Sequence, residues 1–133
     1  LPFERGRLIW LRDVERYAGV SLVFALFGGQ NPGDSGSWSL RQDTWNGEGI
    51  CSVGPPPDGL YLPDRNLAKA WCDIQGLESL GYAMAPQESV AGRGVGVVQN
   101  FDNVILIRDA QGAANGLVYV LFRETGTYQR MAY

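Results

Sequence analysis

The sequence contains no histidine at all. That removes Ser-His-Asp and Cys-His catalysis and the commonest transition-metal ligand. Cysteine is nearly absent: Cys51 and Cys72 are the two present, too few for a zinc site. No apolar run approaches the roughly 20 residues that a membrane-spanning helix needs. The longest, "SLVFALF", fits a buried strand instead. Nor is there a basic stretch. Eleven Lys and Arg are scattered among fourteen Asp and Glu, for a net charge of −3, which argues against a nucleic-acid partner. "GRGVG" at Gly92 to Gly96 lacks the Lys-Ser/Thr of a phosphate-cradling loop and reads as a glycine-rich turn. No signal-peptide pattern is visible, and residue 1 is Leu, which fits a processed or trimmed N-terminus.

What remains is a chain of 133 residues, long enough for one domain with its own core. Eighteen glycines and seven prolines imply many turns and a β-rich chain. Residues 1–45 hold three strand candidates, Arg7 to Arg12, Ser21 to Phe27 and Gly36 to Gln42, each bounded by turn residues. Residues 99–133 repeat their order. Phe3-Glu4 matches Phe101-Asp102, "RLIWLRD" matches "NVILIRD", "LVFALF" matches "LVYVLF", and "GSW" matches "GTY". The same residue classes in the same order mark a duplication of one meander. In "SLVFALF" one face holds Leu22, Phe24 and Leu26 and the other Val23, Ala25 and Phe27. Both are apolar, so this strand and its counterpart "LVYVLF" are expected to be covered on both sides.

Residues 46–98 form the connector and a helical segment between the copies. Pro55 to Pro57 favour an extended connector. Leu67, Ala70, Trp71, Ile74 and Leu77 recur at helical spacing, with Asp64 or Asn66 as N-cap and Gly81 as the stop. Gly76 interrupts the apolar face and predicts a kink or break near Gln75. Cys51 and Cys72 have 20 residues between them; as a disulfide they would tie the helix to the connector and place the protein in an oxidising compartment. Two unpaired buried thiols, suited to a cytosolic protein, are the alternative. The expected architecture is therefore mainly β with one helical insert. Two duplicated three-stranded antiparallel meanders pack as a small barrel or sandwich around the helix, in a single domain spanning 1–133.

Aromatic residues are the remaining signal for a site. Trp10, Trp71 and Tyr119 sit in apolar patterns and read as core. Trp38 and Trp45 stand beside polar loops. With Asn31 and Asp34 of the loop Gly28 to Gly36, they are candidates for glycan or partner contact. Asn31 and Asp34 read as a solvated turn rather than a calcium loop. Asp43, Glu48, Asp58, Asp64 and Glu88 supply carboxylates for a glycoside hydrolase, but nothing in their spacing sets two across a cleft.

"FERGRLIW", "DTW", "PPPDGLYLPDRNLAKAW", "LGYAMAPQ" and "VQNFDNVILI", in this order over nearly the whole chain, resemble a module of secreted bacterial proteins, notably from Chloroflexi. There a Q-x-F-E-x-G-x-M-I-W strand alternates with a P-x-R-G-F-G-K-V-W helix and an L-G-W-A turn. More distantly the pattern is similar to LGFP-type repeats of cell-wall-associated proteins. "FDNV" lacks the glycine, and of the R-G-F-G positions Arg65 alone is kept; Trp71 keeps the helix tryptophan. The resemblance implies an extracytoplasmic setting and a non-catalytic module. The expectation is a non-enzymatic structural or assembly subunit at the cell surface or outside the cell. It needs no cofactor or metal, does not span the membrane, and associates with protein partners or itself. A glycan- or wall-binding module is the alternative, and a carboxylate-based hydrolase the second.

Overall fold

The computed structural model describes residues 1–14, 20–29, 33–48, 51–87, 96–109 and 117–132. Asn31 and Glu88 lie outside them, as does most of the Gly92 to Gly96 turn. Eight strands form one antiparallel sheet: β1 (Pro2–Phe3), β2 (Gly6–Val14), β3 (Val20–Gly28), β4 (Ser35–Gln42), β5 (Gly96–Asn100), β6 (Val104–Asp109), β7 (Leu117–Phe122) and β8 (Thr127–Ala132). Their order is β1-β2-β3-β4-β8-β7-β6-β5. The sheet is not closed into a barrel; β1 and β5 are its two edges. Two helices, α1 (Arg65–Asp73) and α2 (Gly76–Ser79), come between β4 and β5 in sequence.

The halves meet at β4 and β8 through the pairs Ser35–Gln129, Gly36–Tyr128 and Ser37–Thr127, flanked by backbone bonds of Arg130 with Gly33 and Asp34 and of Trp38 with Gly126. Beyond that seam the strands separate, and the sheet folds over so that one face of each half looks inward. Leu22, Phe24 and Leu26 of β3 pack there with Ile105, Ile107, Tyr119, Leu121 and Tyr128. Alternation along each strand then puts Leu8, Val23 and Ala25 on the outer face of the first half. They form a second core with Phe3, Leu67, Ala70, Trp71, Leu80 and Ala83, beneath the helices. β3 is thus covered on both sides, as its all-apolar pattern predicts.

The register is the same in both halves at the inner strands. Leu26 faces Trp38, and Leu121 faces Tyr128. One step outward it departs from the sequence match. Leu26 faces Arg7, and Leu121 faces Ile105. Arg7 therefore occupies the place of Ile105, two residues from the partner that residue classes suggest. The two-residue step keeps every side chain on its face, so hydrophobic alternation alone does not detect it.

The helical segment breaks where the sequence predicts. Asp64 caps α1, its carboxylate accepting the Arg65 N–H at 2.8 Å. α1 ends at Ile74, and Gln75 adopts a left-handed conformation (φ 53°) before α2. Gly76 has a packing reason: a Cβ there would lie 2.0 Å from the Trp71 ring. Trp71 is 2% exposed, and its indole N–H donates to Gly81 O at 3.0 Å. The chain then runs back beside β1. Ala83 bridges to both Phe3 and Tyr61. The Glu4-Arg5 turn grips the end of α2. Arg5 Nη2 donates to Leu77 O and Glu78 O (3.0 and 2.9 Å), and Glu4 Oε2 accepts the Tyr82 N–H at 2.9 Å. Gly6 makes this approach possible, since a Cβ there would lie 2.6 Å from Leu80 Cδ2 and 2.1 Å from Leu26 O of the neighbouring strand.

Cys51 and Cys72 form a disulfide, with Cα atoms 5.8 Å apart. It ties α1 to the connector as expected. Among the described residues no helix is long and apolar enough to cross a membrane.

Candidate functional site

Trp38 and Trp45 have different surroundings. Trp38 lies on the inner face of β4, half-buried against the core between the halves. Its ring centroid is 6.4 Å from that of Phe24, and its indole N–H donates to Phe122 O of the other half at 3.0 Å. Tyr128, its counterpart on β8, reaches back with its hydroxyl toward Gly29 O at 3.5 Å. The two aromatics thus brace the seam from both sides. Trp45 sits in the connector, its indole N–H on Glu48 O at 3.2 Å. Asp34 is half-buried at the start of β4. Its carbonyl accepts the Arg130 N–H at 2.9 Å, and its carboxylate leans on Gly29.

Asp43 gathers more side chains than any of these. Its Oδ2 accepts from Trp10 Nε1 at 2.9 Å and from Asn66 Nδ2, and its Oδ1 accepts the Trp45 N–H at 3.0 Å. Aspartate so placed is an Asx-type turn former, and "DTW" is the sequence signal for it. A shallow groove runs from there between the end of β4 and α1, past Arg41, Asn66, Lys69 and Asp73. Asp73 holds Lys69 at 2.7 Å and Arg41 at 3.6 Å. Trp10 stands at its margin, 39% exposed. From its apolar neighbours Trp10 is expected in the core and Asn66 as an alternative N-cap; Lys69 and Asp73 carry no expectation of a site. Both carboxylates are engaged, Asp43 by N–H donors and Asp73 by the two cations. A second, more apolar groove of about 140 Å³ lies over the disulfide, beside Val53, Trp71, Gln75 and Leu77.

A third arrangement lies on the inner face. Arg7 reaches across from the first half, its Cζ 6.0 Å from the centre of the Tyr119 ring. Arg130, opposite Tyr119 in the β7–β8 register, stands 5.8 Å from the same ring. Burial holds the Arg7 guanidinium below its ordinary pKa, and the like charge of Arg130 adds to this. The Tyr128 phenol is pushed up, first by burial and then by Tyr119 and Asp34. The signal for this cluster was an arginine in register with apolar positions, which the two-residue misalignment concealed.

Among the described residues there is no group of three or more Cys, Asp or Glu placed to hold a metal ion. No family model matches the chain, and no curated protein or solved structure matches it.

Proposed function

We propose that this chain is a non-enzymatic, extracytoplasmic assembly subunit that associates with a second copy of itself through the outer face of β5–β8. The observation that carries the reading is the unequal cover of the sheet. Val104, Leu106, Val118, Val120 and Phe122 share that face and are all half-exposed, while Met131 is 50% exposed. Among the described residues, the core beneath the helices contains none from β5–β8. A contiguous apolar sheet face of this kind is a site of association. Its other described positions are mostly neutral: Gln99, Thr127 and Gln129, with Arg108 at one end. Two such faces meet without like charges opposed at their centres, which suits an isologous dimer.

The disulfide supports an oxidising setting, and the resemblance to secreted bacterial modules agrees with it. The shared register of β3–β4 and β7–β8 supports descent of both halves from one meander. Light scattering across a concentration series tests the association. The wild type should dimerise, and Val120→Arg should be monomeric with its fold intact. A wild type that stays monomeric at high concentration overturns the reading.

A second reading is glycan binding at the Asp43 groove. It is favoured by the exposed Trp10 indole standing beside Asp43 and Asn66. Tryptophan fluorescence during titration with neutral cell-wall oligosaccharides tests it. A saturable change that Trp10→Ala abolishes supports it, and no change in the wild type removes it.

A further inference from the structure

We infer that the inner-face cluster of Arg7, Tyr119 and Arg130 is a binding site for a small oxyanion, a carboxylate or sulfate group. This does not depend on the assembly reading. Arg130 is 7% exposed, yet its Nε and Nη1 are buried without a hydrogen-bond partner. The Tyr119 hydroxyl, on a residue 8% exposed, is buried and unpartnered as well. Both guanidiniums lie about 6 Å from the same ring centre, one from each half of the sheet, and the charge of Arg130 is felt at Arg7. Among the described residues no carboxylate forms an ion pair with either.

Each part of this is costly alone. A buried donor without an acceptor loses its hydration with nothing in return. A buried cation without a counter-charge loses far more. Cation–π contact with Tyr119 offsets a fraction of the charge cost but satisfies no N–H. An oxyanion supplies what is missing: negative charge and several acceptor oxygens, near two guanidiniums and a phenol. The place is defined by the fold. Arg130 is fixed by backbone bonds with Gly33 and Asp34 (2.7 and 2.9 Å), while Arg7 comes from β2 of the opposite half. An occupant would therefore join the two halves across the core.

The pseudo-equivalence of the halves supplies a fold-safe variant. Ile105 takes in the second half the position that Arg7 takes in the first, and it is fully buried among apolar neighbours. Arg7→Ile should fold, and in anion-free buffer it should melt no lower than the wild type. Thermal melts with sulfate and with acetate, against chloride at matched ionic strength, are the test. The wild type should show a saturable rise with sulfate or acetate that chloride does not give. Arg7→Ile and Arg130→Gln should each weaken the apparent affinity by about tenfold or more. A glucuronate-containing oligosaccharide forms a further arm. Tighter binding than acetate assigns the carboxylate to a sugar chain, and equal binding assigns it to a free ion. A wild-type response no larger than that of chloride overturns the proposal. So does a sulfate response that is identical in Arg7→Ile, which is the mark of an adventitious ion only.

Discussion

Phe3 and Phe101 open the same turn in the two halves of the sheet. Phe3 is fully buried, whereas Phe101 is 53% exposed. Their surroundings differ in one respect. In the first half the turn after Phe3 grips α2 and the Leu80–Ala83 segment, which close over the outer face. In the second half the turn after Phe101 is spent within the sheet: Phe101 N–H donates to Val104 O and Arg123 N–H to Asn103 O. The strands and their register are common property; the cover is not. Burial is conferred by the insert rather than by the strand pattern. Val118 and Val120 are as apolar as Val23 and Ala25, which are buried, yet remain half-exposed; Phe27 and Phe122 are both half-buried. The expectation that β7 is sealed like β3 therefore fails on its outer face, because α1 and α2 pack on the first half.

The largest effect should come from removing the ring beneath the insert. Phe3→Ala empties a fully buried site and should destabilise the protein by about 3–5 kcal/mol. Denaturant unfolding measures it. A loss under about 1 kcal/mol would mean that the insert contributes little to this core. The comparison can also be broken from the other side, by untying the insert while leaving its packing in place. Replacing both Cys51 and Cys72 with Ser releases the connector from α1. In the loop-entropy account the loss is about 3 kcal/mol. The check is oxidised wild type against the double variant in denaturant, with far-ultraviolet circular dichroism following the helical signal. An unchanged midpoint would show that α1 is held by Trp71 and Leu67 without the tie.

Much of this architecture is legible in the residues. The β3 and β7 runs, the Asp64 cap, the break near Gln75 and the Gly81 stop each follow from local chemistry that tertiary context does not override. Gly76 was legible as an interruption but not as the seat of Trp71, because the contact lies between two turns of a broken helix. The site was less legible. Asp43 was visible as a carboxylate, but its partners Trp10 and Asn66 are separated from it by 33 and 23 residues. Trp38 sits beside a polar loop in sequence and against Phe24 in space. Arg7 illustrates the deepest difficulty. Matching residue classes rewards apolar against apolar, so an arginine facing inward is aligned away from its true counterpart, Ile105. Composition reads what a face can tolerate; it does not read which element covers that face or which charge was placed there.

The smallest expected effect sharpens the comparison most. Phe101→Ala deletes the same ring as Phe3→Ala, from the equivalent turn, but from a site that neither α1, α2 nor the Leu80–Ala83 segment covers. Little surface is returned to water, so the isolated chain should change by no more than about 0.5 kcal/mol. Measured at a concentration where the chain is monomeric, such a value against the several kcal/mol of Phe3→Ala isolates the contribution of the cover, since strand, turn and side chain are matched. Measured again at high concentration, the two readings of the outer face separate. If a second copy seats on β5–β8, Phe101 gains a neighbour on dimerisation, and its loss should weaken association while leaving the monomer untouched. If Phe101→Ala instead costs the monomer as much as Phe3→Ala, the second half has a cover of its own, and the asymmetry on which self-association rests is removed.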